Sequence, residues 1–404
     1  MTKSPGTPAA NAVTVDPSKV HQHISGFGAS TAWLGTTMSS SDADLAFSTT
    51  SGAGLSLDRI RINYQGNGTS TPETQTALLA QARGAKVWAT PWTPPTADKS
   101  NTNSVEGTLT NASAYATFLV NYVAAMKSAG VDLYAISAQN EPDANVTYES
   151  CVYTPSTMAT FVANTLGPAF AGSSVKVMAP ETQNACGFTS YFSAIQSNTA
   201  AWNAVGIFAS HEYGCGTLPS EPSIAAASKE YWETEVDTGA ASGDSPGDGI
   251  ASALLTATTM HNDLTKANLN AWHYWWLYCS NNSGCLYDTG TKVWTKRLWA
   301  MGNFSRFVRP GWKRVATSGT APSGVLVSAY INPANSALSI VAINNNTSSK
   351  TASFFISSNA PCSLTPYETS ASKSLGQGAA MTVSQSRVTV TLTAQSVTTF
   401  VGTP

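Results

Sequence analysis

Between residues 24 and 307, short apolar runs alternate with segments that have helical periodicity. One helical segment begins at Asn111 and ends at Gly130, a residue type that is common just after the last turn of a helix. Its apolar side chains recur every three or four positions and therefore share one face: Tyr115, Leu119, Tyr122, Val123 and Met126. The mostly apolar run 131–138 follows at once and predicts a buried strand.

A second unit of the same kind starts at Thr71, which can cap a helix, followed by Pro72 at the first helical position. Gly84 ends that helix, and residues 86–90 form the next apolar run. The same reading gives about eight strands, near 24–30, 55–62, 86–90, 132–139, 175–180, 205–211, 230–236 and 270–276. Eight strand-helix units over this length predict an α/β fold with a (β/α)8 TIM barrel, here placed at 25–310. A doubly wound open sheet is the alternative, but no glycine-rich nucleotide-binding loop follows any of the strands.

After about residue 312 the pattern changes to β-branched, partly alternating runs separated by Asn, Gly, Ser and Pro. These runs are typical of an antiparallel β-sandwich, and they lie at 325–331, 338–343, 352–356, 387–392 and 396–401. Residues 12–16 have the same character and are expected to add a strand. We therefore predict a fused β-sandwich side domain made of 12–24 and 311–404, packed rigidly against the barrel.

Charged residues make up only 11% of the chain and the formal net charge is −2. This composition excludes a nucleic-acid binder that relies on a basic surface, and a polybasic membrane anchor. The sequence also has no apolar stretch long enough for a transmembrane helix. Residues 1–13 lack the apolar core of a signal peptide and are interpreted as a mature start. We expect a secreted, extracellular monomer.

The chain has six cysteines and no paired Cys-x-x-Cys spacing. An even number together with low charge favours disulfide bonds in a secreted protein, although six cysteines allow 15 different pairings. Cys279 and Cys285 flank a short polar loop that a bridge could close. Six buried free thiols are the alternative.

Two glutamates follow predicted barrel strands at their carboxyl ends, where the catalytic groups of such barrels lie. Glu141 comes after the fourth strand and Glu235 after the seventh. Two carboxylates that face each other across a barrel mouth suit glycoside hydrolysis, because one must protonate the leaving oxygen while the other attacks or activates water. Surface or helix-capping acids are the simpler alternative for either residue alone.

Many of the 11 tryptophans also lie near predicted strand ends, where flat rings can stack on sugars. Core packing is the alternative, and we expect it for Trp88 and Trp299. The five histidines have no metal-ligand spacing, so neither a metal nor another cofactor is expected. His211, at the end of the sixth strand, is expected to contact sugar.

Together these segments resemble glycoside hydrolase family 30, and most closely its xylanase branch, the glucuronoxylan xylanohydrolases. The likeness runs from about residue 12 to 402. It is carried by Gly26-Phe-Gly-Ala-Ser30 with Trp33, Pro91-Trp-Thr-Pro-Pro95, Tyr134-Ala-Ile-Ser-Ala-Gln-Asn-Glu-Pro142, Ala179-Pro-Glu181, His211-Glu-Tyr-Gly214, Trp232-Glu-Thr-Glu235, Asn270-Ala-Trp-His-Tyr-Trp-Trp276 and Phe307-Val-Arg-Pro-Gly311.

The resemblance implies a retaining enzyme with Glu141 as general acid/base and Glu235 as nucleophile. Glu233 is the rival nucleophile, but the family pattern Trp-x-Thr-Glu selects Glu235. The resemblance also implies a bond from Asn140 to the sugar 2-hydroxyl, and an arginine, Arg59, beside the nucleophile. Substrate contacts are further expected from residues within these motifs: Trp33, Trp92, His211, Tyr213, Tyr274 and Trp275.

Two expectations about charge follow from these roles. Arg59 should keep Glu235 ionised by lowering its pKa, whereas the surroundings of Glu141 should raise the pKa of that acid.

The chain departs from the family at the eighth strand. Glucuronoxylan-specific relatives have arginines in the corresponding stretch, whereas residues 276–279 here are Trp-Leu-Tyr-Cys. We therefore expect a retaining endo-β-1,4-xylanase that acts on xylan without strict dependence on glucuronate branches. The alternatives are an endo-β-1,6-galactanase or other β-glycosidase of the same family, and a carbohydrate-binding protein without catalytic activity.

Overall fold

A computed structural model describes residues 11–66, 69–242, 244, 249–279 and 284–403 of the chain. The segment interpreted as a mature start lies mostly outside these residues, as does most of the loop between Cys279 and Cys285. Among the described residues, no helix combines the length and apolar character needed to cross a bilayer.

The chain starts with strand β1 (Ala12–His23) and then forms eight parallel strands that pair in sequence order. The ring closes because the last of them pairs with both the first and the seventh. The ring strands are β2 (Gly26–Ser30), β3 (Leu57–Ile62), β4 (Lys86–Pro91), β5 (Leu133–Ser137), β6 (Lys176–Thr182), β7 (Val205–Ser210), β8 (Glu230–Glu233) and β9 (Ala271–Cys279). The predicted (β/α)8 TIM barrel is confirmed.

Helices cover the outside of this ring. They are α1 (Ser40–Phe47), α2 (Pro72–Gln81), α3 (Ala112–Ser128), α4 (Pro155–Phe161), α5 (Gly167–Ala169), α6 (Ala185–Ser197), α7 (Thr199–Ala204), α8 (Pro222–Ala226), α9 (Ile250–Asn262) and α10 (Lys296–Ser305). A short 3₁₀ turn spans Thr96–Asp98, and π-helical turns span Val162–Leu166 and Asp263–Ala267. The predicted cap at Thr71 is confirmed, since its side chain accepts a backbone N–H bond at the start of α2, and the side chain of Asn111 does the same at the start of α3.

The inside of the barrel is filled by large side chains. Trp88 and Trp232 are fully buried there, and their rings meet edge to face at 6.0 Å. Trp88 donates its indole N–H to Nε2 of His273 at 3.0 Å. Burial lowers the pKa of His273 to about 3, so this ring is a neutral acceptor at ordinary pH. The packed interior gives the carboxyl ends of the strands a rigid floor.

Two short strands, β10 (Cys285–Asp288) and β11 (Val293–Trp294), extend the barrel sheet beyond β9. The Cys279–Cys285 disulfide joins β9 to β10, so the predicted loop closure is confirmed. A second disulfide joins Cys186 to Cys215, while Cys151 and Cys362 are free thiols.

The rest of the chain forms a separate, mainly antiparallel sheet. Its strands are β1 together with β12 (Lys313–Gly319), β13 (Val325–Ile331), β14 (Leu338–Asn344), β15 (Lys350–Ile356), β16 (Ser363–Thr369), β17 (Gly376–Gln377), β18 (Met381–Thr382), β19 (Arg387–Leu392) and β20 (Ser396–Gly402). β1 pairs with β12 in antiparallel fashion and with β15 in parallel, so strands from early and late in the chain share this sheet. Its own apolar core includes Val15, Ile340, Phe354 and Phe400.

Helix α10 connects the barrel to this sheet through buried hydrogen bonds. Asn303 is fully buried, and its amide donates to the carbonyl of Tyr367 at 2.8 Å and to the hydroxyl of Thr399 at 3.1 Å. Thr369 donates in turn to the carbonyl of Trp299 at 3.1 Å. These bonds tie β16 and β20 to the helix in one orientation.

We predict that Asn303→Ala lowers the free energy of unfolding by about 1–3 kcal/mol, because it leaves buried acceptors without a donor. Urea denaturation followed by tryptophan fluorescence measures the change. Asn345→Ala is the matched control, since Asn345 is an exposed asparagine that follows β14 and bonds Thr258 of α9. The control should change stability by less than about 0.5 kcal/mol. Equal losses in both variants would contradict the role given to Asn303.

Candidate active site

A cavity of about 630 Å³ lies at the carboxyl ends of the barrel strands. Its lining combines aromatic rings with two carboxylates and one amide: Trp33, Trp92, Glu141, Tyr148, Gln183, Tyr213, Glu235, Trp275 and Trp276. No arginine or lysine belongs to this lining within the part of the chain that the structure describes. The cavity is therefore apolar on its walls and acidic at its base.

Glu141 follows β5, and Glu235 follows β8. The backbone N–H of Glu141 donates to the carbonyl of Glu181 on β6 at 2.9 Å, and Glu141 has a positive φ of 45°. Such a conformation is uncommon for a residue other than glycine and persists only where surrounding contacts enforce it. A carboxylate oxygen of Glu141 lies within 4.8 Å of one of Glu235.

Arg59 on β3 lies beneath the cavity and is fully buried. Its guanidinium donates to a carboxylate oxygen of Glu235, to Oδ1 of Asn140 at 2.6 Å and to Oε1 of Glu181 at 2.9 Å. Burial acts to lower the pKa of Arg59, but the charges of Glu181 and Glu235 outweigh it and raise the pKa above its usual value. Arg59 therefore remains a cation that joins the ends of four strands or the loops after them.

His211, directly after β7, lies between the same carboxylates. Its Nδ1 is 3.1 Å from Oε1 of Glu141, and its Nε2 is 3.5 Å from Oε1 of Glu181 and 3.7 Å from Oε2 of Glu235. Burial acts to lower the pKa of His211, but the charge of Glu235 and the bonds to Glu141 and Glu181 raise it to about 10. The ring is therefore an imidazolium at neutral pH.

The pKa values of Glu141 and Glu235 shift in opposite directions. Burial acts to raise the pKa of Glu141, but the hydrogen bond and charge of His211 and the bond from Tyr148 outweigh it, so this pKa is lowered. Burial raises the pKa of Glu235, and the charges of His211 and Arg59 offset that rise only in part. The expected order was wrong, because burial outweighs the nearby positive charges at Glu235, whereas the contacts with His211 and Tyr148 outweigh burial at Glu141.

Each of the two carboxylates also accepts a hydrogen bond from a phenol. Tyr148, in the loop after β5, donates to Oε2 of Glu141. Tyr213, in the loop after β7, donates to Oε1 of Glu235 at 2.9 Å. Both phenols line the cavity, so each is in reach of a bound ligand.

Four tryptophans form the aromatic walls. Trp33 follows β2, has a φ of 65° and meets Trp92 edge to face at 5.7 Å. Trp92 contacts Trp275 at 6.0 Å, and Trp275 stacks on Trp276 at 5.0 Å. Flat rings around a cavity of this size suit the apolar faces of sugar rings.

The residues predicted from the sequence fall into three groups. Six of them line the cavity: Trp33, Trp92, Glu141, Tyr213, Glu235 and Trp275. Arg59 and His211 lie beneath it, bonded to the carboxylates, and Asn140 accepts a hydrogen bond from Arg59, so internal bonds occupy His211 where a sugar contact was expected. Tyr274 is fully buried away from the cavity, with its hydroxyl bonded to Asp237 at 2.9 Å.

Glu233, the rival nucleophile, is also fully buried. Its carboxylate accepts the backbone N–H of Glu235 at 2.6 Å and that of His273 at 2.9 Å. With both oxygens bonded to backbone, Glu233 supports the end of β8 and does not face the cavity.

Sequence reasoning missed Tyr148, Gln183 and the position of Glu181. Glu181 ends β6 within the quoted segment 179–181, so its strand-end location was a usable signal. Tyr148 and Gln183 belong to loops, where no periodicity indicates which side chains turn towards the cavity.

One atom each of Glu141, His211 and Glu235 could together reach a metal ion, since these atoms lie within 4.8 Å of one another. Metal binding needs an unprotonated histidine nitrogen. As an imidazolium with both nitrogens directed at carboxylates, His211 favours a hydrogen-bonded network over a metal site.

Comparisons with known proteins agree with this geometry. The sequence model of the Glycosyl hydrolase family 30 TIM-barrel domain matches residues 51–253. Glucuronoxylanase XynC of Bacillus subtilis (strain 168) is 32% identical over 410 residues, covering 97% of this chain and 92% of that protein.

Solved structures give the same result over nearly the full length. The glycoside hydrolase family 30 subfamily 8 xylanase Xyn30A of Clostridium acetobutylicum matches with a TM-score of 0.88 and 31% identity, covering 98% of this chain and 100% of that chain. A GH30 endoxylanase of Clostridium papyrosolvens C71 matches with a TM-score of 0.83 and 32% identity, covering 97% of this chain and 100% of that chain. The barrel with its fused side domain, the paired carboxylates and these full-length similarities lead to one conclusion: the chain belongs to glycosyl hydrolase family 30.

Proposed function

We propose that this protein is a retaining endo-β-1,4-xylanase. The observation that carries the proposal is the facing pair Glu141 and Glu235, whose nearest oxygens lie within 4.8 Å at the base of an aromatic cavity. Retaining enzymes bring their two carboxyl groups to about 5–5.5 Å, whereas inverting enzymes leave a wider gap for water. Xylan as the substrate is supported by the relatives, whose names describe them as a glucuronoxylanase and xylanases.

In the first step, Glu235 attacks the anomeric carbon and forms a glycosyl ester while Glu141 donates its proton to the leaving glycosidic oxygen. In the second step, Glu141 takes a proton from water, and the resulting hydroxide displaces Glu235 with net retention. Arg59 and Tyr213 stabilise Glu235 as the departing carboxylate through their hydrogen bonds.

The general acid of the first step must be protonated when the sugar is bound, although the hydrogen bond and charge of His211 and the bond from Tyr148 lower the pKa of Glu141. A bound sugar excludes water from Glu141, and loss of hydration disfavours the charged form of a carboxyl group. We therefore expect substrate binding to raise the pKa of Glu141 and so to favour its protonated form.

The cavity lining also bears on the branches of the polymer. A glucuronate branch carries a carboxylate, which proteins usually bind through arginine or lysine. The described cavity lining offers neither, and it already contains two carboxylates. We therefore propose that glucuronate branches are not required for cleavage.

The two disulfide bonds bear on where the enzyme acts. Two disulfide bonds are typical of proteins that leave the reducing cytosol. We propose an extracellular monomer whose partner is the polysaccharide itself.

The substrate is tested by mass spectrometry of the products from glucuronoxylan, arabinoxylan and β-1,6-galactan. We expect xylo-oligosaccharides from both xylans and no release from galactan. Glu141→Gln provides the control for contaminating activity. Release from galactan alone would overturn the xylanase proposal, and products that all carry one glucuronate at a fixed position would overturn the independence from branches.

His211→Gln should move both limbs of the pH profile of kcat/KM to higher pH. The positive charge of His211 lowers the pKa of Glu141 and of Glu235, so removing it raises both. His21→Gln, a change at an exposed histidine on β1, is the matched control and should leave the profile unchanged. If the pH profile of His211→Gln matched that of the native chain, His211 would not control the pKa values of Glu141 and Glu235.

A further inference from the structure

One disulfide crosses between two loops at the mouth of the barrel. Cys186 lies at the start of α6, in the segment that follows β6, and Cys215 lies in the loop after β7. Their Cα atoms are 5.8 Å apart, and 29 positions separate them in sequence. Both residues are exposed to solvent.

The loop around Cys215 has an unfavourable backbone conformation. Gly214, Cys215 and Gly216 have φ values of 73°, 58° and 72° in succession. This left-handed conformation is unfavourable for a residue other than glycine. A cross-link that holds Cys215 in it therefore compensates for local backbone strain. Without the bond, the loop gains conformations in which these residues return to negative φ.

The two joined loops carry groups that reach both facing carboxylates. Tyr213, two positions before Cys215, donates to Glu235 at 2.9 Å. Gln183, three positions before Cys186, lines the cavity together with Tyr148, and the phenol of Tyr148 donates to Glu141. The loops also meet through a bond from the N–H of Tyr213 to the carbonyl of Gln183 at 3.3 Å.

We propose that the Cys186–Cys215 disulfide is a positioning element of the active site, which holds the phenols of Tyr213 and Tyr148 against Glu235 and Glu141. The inference rests on the proposed function of those two carboxylates. It extends that function, because it assigns catalytic consequences to an exposed bond that lies outside the cavity lining.

The second disulfide provides a matched comparison. Cys279 and Cys285 lie only six positions apart on β9 and β10. Ladder pairing also holds these strands together, through Cys285 with Trp276 and Tyr287 with Tyr278. Breaking that bond leaves the strands paired, and the cysteines contact neither phenol.

The test compares the double variants Cys186→Ser/Cys215→Ser and Cys279→Ser/Cys285→Ser with the native chain on glucuronoxylan. We expect kcat of the first variant to fall about tenfold with KM within about threefold, as for the loss of a hydrogen bond to a charged group. The second variant should keep kcat within about twofold. Thermal melting of each variant confirms that the folded protein is being assayed.

Chemical reduction also breaks the Cys186–Cys215 bond, and it does so without a substitution. Dithiothreitol attacks the sulfur–sulfur bond and leaves two cysteine thiols, while it is itself oxidised to its cyclic disulfide. Reduction should lower kcat of the native chain and of the Cys279/Cys285 variant, and reoxidation should restore it. The Cys186/Cys215 variant should be insensitive to the reductant.

A double mutant cycle separates positioning from general loosening. In a Tyr148→Phe/Tyr213→Phe background, losing the Cys186–Cys215 bond should cost less than about twofold, because its targets are absent. If the kcat losses caused by removing the disulfide and by removing the two phenols simply multiplied, the inference would be contradicted. Full activity of the Cys186/Cys215 variant, with the native chain active, would also contradict it. A native chain inactive on every xylan would instead overturn the proposed function.

Discussion

The active site depends on one buried ion-pair network centred on Arg59. Its guanidinium bonds Glu235, Glu181 and Asn140, and His211 completes the charge balance from the other side. Breaking a buried pair of this kind typically costs about 3–5 kcal/mol, because a charge is left without a partner. Three carboxylates gathered without these cations would repel each other and take up protons. The network therefore fixes both the distance between the catalytic carboxylates and their readiness to ionise.

Features that depend on strand periodicity were predictable from the sequence. The eight barrel strands lie within three residues of their expected ends, because buried parallel strands form continuous apolar runs. Once the strands were in order, Glu141 and Glu235 had to meet at one end of the ring, since carboxyl ends of parallel strands share an edge. Arg59 lies three residues before the end of β3, and it was expected only from the family resemblance.

Features that depend on loop paths and on burial were not predictable in this way. Tyr148 and Gln183 reach the cavity from loops, where no periodicity indicates which side chains turn inwards. His211 has the position expected of a sugar ligand, but the packing around it commits both its nitrogens to carboxylates. The order of the two pKa values depends on how burial and nearby charges balance at each carboxylate, which no motif encodes.

The central claim is that Glu235 forms a covalent bond with the sugar while Glu141 acts as acid and base. The most direct measurement is mass spectrometry of protein treated with an activated 2-fluoro xylobioside, which slows breakdown of a glycosyl ester. We expect one sugar label per chain, on the peptide that contains Glu235, and no label in Glu235→Gln. A label on another residue, or rapid turnover with inverted product and no adduct, would contradict it.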